Sequence, residues 1–173
     1  MKSEQFLRFI TAVLIVATVL MAMAVPTEAS ESSGRWITKT FSYEGYCPVV
    51  KLRIEGLGER YVSQSVTSAT KAKAYTFIVI PTEYDGYYVL RSVDNPHIAL
   101  TFKDGKFKLS DIDNGDYTSQ VFAKEQMFRF VWKTNYAQGY NNRKCNGWQI
   151  ACKNGKVLTC SGYSIFGMWQ MNY

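Results

Sequence analysis

The sequence predicts an all-β fold of about twelve short strands in three pseudo-repeats, and three observations carry that prediction. The first is punctuation. From position 35 onward, short runs rich in Val, Ile, Thr, Tyr, Phe and Trp alternate with Asp-Gly, Asn-Gly and other turn formers, and no run keeps helical periodicity beyond two turns. The second is a hairpin written twice. Segment 98–111, IALTFKDGKFKLSD, aligns without a gap on 148–161, WQIACKNGKVLTCS, so that Lys103, Gly105 and Lys106 meet Lys153, Gly155 and Lys156, with Asp104 opposite Asn154. Tight primed turns need positive φ at both central residues, which Asp, Asn and Gly tolerate at least cost. The third is a set of alternating aromatic strands at 75–79, 128–132 and 169–173, with Tyr75 and Phe77, Phe128, Phe130 and Trp132, and Trp169, Met171 and Tyr173 on one side of each. Their spacing of roughly 40 to 50 residues is that of a repeat architecture. They close three units of about 41–81, 82–132 and 133–173.

Taken in order, residues 1–29 are expected to be a secretory signal peptide. Lys2 and Arg8 supply the charged start, 9–23 is an almost unbroken apolar run, and Pro26, Thr27 and Ala29 make the exit. Cleavage is expected after Ala29, with Ala24 the alternative. The run is shorter than the ~20 residues of a membrane span, so no span is expected after cleavage. Residues 30–173 then form one secreted domain, long enough for a single core. Strands are expected over 35–43, 49–54, 60–66, 75–80, 87–93, 98–103, 106–110, 127–133, 148–152, 156–160 and 168–172. Turn formers at 55–58, 85–86, 94–96, 104–105, 113–115, 146–147, 154–155 and 161–162 separate them. Segment 119–126, SQVFAKEQ, is the one candidate for a short helix or 3-10 turn.

The formal net charge is +6. It lies wholly in 30–173, because Lys2 and Arg8 balance Glu4 and Glu28. The basic residues are scattered, with no run of five, which describes a solvated basic surface and no nucleic-acid partner. Four cysteines in an exported chain imply disulfides; Cys152 with Cys160 and Cys47 with Cys145 are the preferred of three pairings. Without a C-x-x-C pair and with one histidine, zinc is not expected, and neither is any cofactor. No N-x-S/T triplet occurs.

Catalytic signatures are absent: there is no G-x-S-x-G, H-E-x-x-H or phosphate loop, and His97 is the sole histidine. Glu83, Asp85, Asp111, Asp113 and Asp116 are carboxylates in turn contexts, where Asp serves the backbone, and the calcium-like run 111–116 has Phe122 at its twelfth position instead of Glu. A non-catalytic binding protein is expected. Its ligand-binding candidates are Tyr84, Asp85, Tyr136, Tyr140, Asn141 and Asn142, in two loops rich in aromatic and amide groups. Rings give a stacking face for a sugar and the polar groups take its hydroxyls; the same residue types serve protein interfaces.

Segment 87–111, YYVLRSVDNPHIALTFKDGKFKLSD, followed by Phe128-Arg129-Phe130-Val131-Trp132, resembles the repeating unit of β-trefoil proteins. The resemblance implies a twelve-strand barrel capped by hairpins around a pseudo-threefold axis. It implies binding functions: an extracellular glycan in a lectin-like reading, or a protein in an inhibitor or cytokine-like one. The first unit departs, with only Gly56-Leu57-Gly58 in place of Asp-Gly, and no Q-x-W triplet occurs. Gly34-Arg35-Trp36 and Thr82-Glu83-Tyr84-Asp85-Gly86-Tyr87 are similar to short lipocalin motifs, which would imply an eight-stranded cup for a small apolar ligand.

Overall fold

Eleven strands form among the described residues: Gly34–Ile37 (β1), Val49–Ile54 (β2), Tyr61–Val62 (β3), Ser68–Ala69 (β4), Thr76–Pro81 (β5), Tyr88–Ser92 (β6), Ile98–Lys103 (β7), Lys106–Asp111 (β8), Phe128–Gln138 (β9), Arg143–Cys152 (β10) and Ile165–Met171 (β11). In this computed structural model the described residues are 33–41, 45–112 and 122–172. The expected signal peptide and both its cleavage sites lie outside them, as do Asp113, Asp116 and positions 119–121. The rest of that last segment holds a 3-10 turn, Lys124–Gln126, and a second one spans Lys71–Lys73.

All the strand pairings are antiparallel, and the sheet closes on itself. Neighbours run β2, β5, β6, β9, β10, β11, and β11 pairs back to β2 from Phe166 opposite Ile54 to Gln170 opposite Val50. The register around this ring is steeply staggered. Trp132, Trp148, Phe166 and Ile54 form one row of partners from β9 to β2. Going on requires a step of four residues to Val50, whose partner is Phe77, then four more along β5 to Pro81. Pro81 faces Tyr88, and Tyr88 faces Phe128, four residues before Trp132. The three steps share one sense, so six strands carry a twelve-residue stagger, roughly 40 Å on a circumference of about 29 Å, which tilts the strands by roughly 50–55°.

Between ring strands the chain makes three excursions. β3 and β4 lie between β2 and β5, β7 and β8 between β6 and β9, and 153–164 between β10 and β11. In the third, only the bridges Ala151 to Val157 and Cys160 to Tyr163 form, so the strand expected at 156–160 is not continuous. Turn chemistry explains this. Lys103 pairs with Lys106 around Asp104 and Gly105, both at positive φ (56° and 76°), a two-residue primed turn. In the second copy the Cys152 N–H bonds the Lys156 carbonyl at 2.7 Å across three residues, of which Gly155 has positive φ. The two-residue turn of the third excursion is instead Ser161-Gly162, with φ of 52° and 82°. The hairpin expected at 98–111 therefore forms as read, whereas its second copy turns back through three residues and has no continuous second strand.

Large side chains fill the ring. Phe77, Phe128, Trp148, Ile150, Phe166 and Met168 belong to one buried cluster. A six-stranded filled ring is not the eight-stranded cup that the lipocalin-like motifs imply: 82–87 is the turn joining β5 to β6, and Gly34–Ile37 is an added edge strand.

β9 and β10 run on as a two-stranded arm, so 136–138 and 143–145, expected as loop, are paired strand. The arm turns away at Asn135 (φ 52°) and at the register shift between Cys145 and Gly147, where Asn146 Oδ1 accepts the Asn135 N–H at 2.8 Å. β10 consequently pairs with β11 only through Trp148 and Gln149, and β1 takes its place along Met168 to Met171. The Trp148 indole donates to the Ile37 carbonyl at 2.8 Å, pinning β1 there. At the arm's end the buried Gln138 donates to the Glu55 carbonyl at 2.7 Å and accepts from the Ser164 and Ile165 amides at 3.0 Å.

The expected disulfides are not formed: Cys47, Cys145, Cys152 and Cys160 are free thiols. Register accounts for the first pair. Cys152 faces Lys156 and Ile150 faces Leu158, which leaves Cys160 four residues beyond Cys152 along the hairpin, of the order of 13 Å in extended strand against the ~5.5 Å between disulfide-bonded Cα atoms. Cys152 Sγ instead donates to the Lys124 carbonyl at 3.1 Å, and Cys145 Sγ to the Arg143 carbonyl at 3.5 Å. Burial raises the pKa of Cys152 and of Cys160 above the ordinary thiol value. A thiol-exchange reagent at pH 8 should react first with the part-exposed Cys47 and reach Cys152 and Cys160 only on unfolding. Four thiols per denatured chain are expected; two or none would mean the cysteines pair.

Candidate ligand-binding groove

The residues expected to bind ligand fall in two places. Tyr84 and Asp85 lie in the β5–β6 turn, which Thr82 Oγ1 braces by donating to the Tyr87 carbonyl at 3.0 Å. Tyr84 is 45% exposed, but Lys153 Nζ stands 2.8 Å from its ring centroid and 5.3 Å from that of Tyr87. A cation thus occupies one face of the Tyr84 ring. Tyr136 is on the arm, and Tyr140, Asn141 and Asn142 form its tip, with Tyr140 fully exposed. The two groups do not converge. Tyr88, at the end of the turn, is level with Phe128, and Tyr136 lies eight residues further along β9, about 26 Å of extended strand.

The structure builds a groove elsewhere, where β10 leaves β11 and β1 arrives. One cavity of about 330 Å³ is lined by Trp36, Arg53, Glu55, Trp132, Asn146 and Gly167, among others. A second, of about 430 Å³, shares Arg53, Glu55 and Asn146 with it and adds Glu59, Arg143 and Lys144. Together they fall within the usual range for small-ligand sites.

Two strand glycines make this possible. A Cβ on Gly167 would stand 2.9 Å from the Trp36 ring and collide with Glu55 Oε1. One on Gly147 would be 2.8 Å from Ile165 Cγ2 and from the Phe166 carbonyl. Neither glycine has positive φ, so close approach of neighbouring groups, not turn geometry, is what requires glycine in these strands. The ring of Trp36 reaches from β1 past Gly167 toward Arg53, which is Gly167's partner on β2.

The polar groups are held in fixed positions. Arg53 places its guanidinium carbon 4.1 Å from the Trp36 ring centroid and donates through Nε (3.0 Å) and Nη2 (2.7 Å) to Glu55 Oε1. Glu55 Oε2 takes no hydrogen bond among the described residues. The Glu55 amide bonds the Ile165 carbonyl at 3.0 Å, and its carbonyl accepts from Gln138, so the carboxylate is mounted on a fixed backbone. Trp169 meets Trp36 edge-on at 4.9 Å. The groove therefore offers an indole, a carboxylate acceptor, a paired guanidinium and the Asn146 amide. His97 lies in the β6–β7 turn and does not line either cavity.

Sequence reasoning passed over Trp36, Arg53, Glu55 and Asn146 as site residues. The legible signal was glycine inside two strand patterns, Asn-Gly-Trp at 146–148 and Phe-Gly-Met at 166–168. No family model matches the chain, and no curated protein is similar to it.

Replacing Gly167 by Ala should force the Trp36 ring off Arg53. The expected result is a changed near-ultraviolet dichroism and a loss of roughly 1–3 kcal/mol, the usual cost of overpacking. An unchanged spectrum and melting temperature would show that the groove does not depend on this close approach.

Proposed function

We propose that this is a secreted, non-catalytic β-trefoil protein of lectin-like function, and that its saccharide lies in the groove over Gly147 and Gly167, not on the Tyr84 turn or the arm tip. The trefoil assignment is supported by six ring strands with a twelve-residue stagger and by three excursions, one after every first strand of a pair. Secretion is supported by the composition of 1–29. The single observation that carries the ligand reading is the clamped trio of Trp36, Arg53 and Glu55 beside an open cavity. The part of the Trp36 indole that Arg53 leaves uncovered, in a residue 37% exposed, suits the C–H side of a sugar ring. A carboxylate with one uncommitted oxygen takes a pair of hydroxyls, and both groups are fixed before binding, which lowers the ordering cost.

A protein-binding trefoil is the second reading, and Tyr140 favours it. A fully exposed tyrosine at the tip of a braced hairpin is the kind of rigid aromatic that anchors protein interfaces.

A glycan array with the wild-type chain, Trp36→Ala, Glu55→Gln and Tyr140→Ala separates them. The groove reading expects glycan binding that Trp36→Ala weakens about tenfold or more, equivalent to ~1.4 kcal/mol. Glu55→Gln weakens it several-fold, and Tyr140→Ala leaves it intact. Binding lost with Tyr140→Ala and kept with Trp36→Ala would move the site to the arm.

A further inference from the structure

Building on the saccharide reading, we infer that the groove has a second, cationic subsite at Arg143 and Lys144, and that the ligand is an acidic sugar chain whose sulfate or carboxylate sits there while a neighbouring ring rests at Trp36. The two cavities share Arg53, Glu55 and Asn146, so one ligand can occupy both. Cations line both ends of this path, and two of them are adjacent at the arm. At the Trp36 end Arg53 is matched by Glu55 at 2.7 Å, and Lys39 is the other charged group of that cavity. At the other end the side chains of Arg143 and Lys144 have no hydrogen-bond or ion-pair partner among the described residues, and Glu59 is the other charged group of that cavity besides the Arg53–Glu55 pair.

The subsite is positioned by structure. Arg143 and Lys144 are in register with Gln138 and Ala137, and Gln138 fixes that end of the arm to Glu55 and Ser164. Gly56 lies against the arm, where a Cβ would stand 3.0 Å from Cys145 Sγ, so the β2–β3 connection and the arm form the two walls. Asn146 stands where the cavities join. Its Oδ1 is taken by the Asn135 amide, which leaves the Nδ2 hydrogens to donate into the groove. A rigid wall bearing two unpaired cations next to an aromatic ring selects an anion at one end and an apolar ring face at the other.

The test is titration calorimetry of the full secreted chain with a chondroitin sulfate tetrasaccharide and, in parallel, neutral chitotetraose. The variants are Arg143→Gln/Lys144→Gln and, as a charge-matched control on a distant hairpin, Lys103→Gln/Lys106→Gln. The subsite predicts at least about tenfold tighter binding of the sulfated chain. It also predicts loss of that preference in Arg143→Gln/Lys144→Gln alone, and a preference that shrinks as salt rises from 50 to 300 mM. Equal binding of both ligands, unaffected by that variant, overturns the cationic subsite and leaves the saccharide reading standing. Equal weakening by the two double variants also overturns it, because net charge alone would then be responsible. Binding of neither ligand, in a chain that also fails on the glycan array, overturns the saccharide reading itself.

Discussion

The pairing of β11 with β2 is the constraint on which the rest depends. Without it the chain would be an open sheet with β2 and β11 as two exposed edges; with it the six strands have no free edge between them, and the apolar residues of each face a common interior. Closure also fixes the stagger, because the register at this seam must agree with the registers accumulated at the other five contacts. Filling the interior with Phe77, Phe128, Trp148 and Phe166 then stabilises one closed register over its neighbours, since a one-residue slip would turn a strand's buried residues outward.

Closure at β11 has a second effect, at the groove. β11 is paired with β2 from Phe166 to Gln170 on one side, but on the other it is served first by β10 and then by β1, and Gly167 falls between them. A break in the ladder on one side of a strand that is rigidly held on the other gives a fixed concavity. The side chains that line it come from β1, β2, β9 and β10 and from Glu55, just past the end of β2. Their positions follow from the ring and the arm. Gln138 links the arm to the groove, because the same residue that holds the arm's end bonds the Glu55 carbonyl. The position of the carboxylate and the course of the arm are one structural unit.

How much of this the sequence disclosed depended on how local the cause was. β2 and β7 begin and end where their β-branched and aromatic runs do, and the Asp104-Gly105 turn was readable because its chemistry is contained in two residues. β9 and β10 were foreseen only in part. Asn135, Tyr136 and Asn146 look like loop residues, and tertiary pairing overrides that preference, with Asn135 accepting positive φ at the bend. The groove is not legible in the sequence, because it is assembled from residues up to 131 positions apart (167 minus 36), from Trp36 to Gly167, and no spacing in the chain encodes that meeting. The tyrosine loops stand out in the sequence by composition alone. The Lys153 that covers Tyr84 is likewise distant in sequence.

The most direct measurement is the set of cross-strand nuclear Overhauser effects in the isotopically labelled protein. The closed ring predicts backbone contacts from Phe166 to Ile54 and from Gln170 to Val50, together with those linking Trp148 to Phe166 and Tyr88 to Phe128. If the β10–β11 and β6–β9 contacts appear while the β11–β2 contacts are missing, the sheet is open, and neither the filled interior nor the groove at Gly167 survives in the form described.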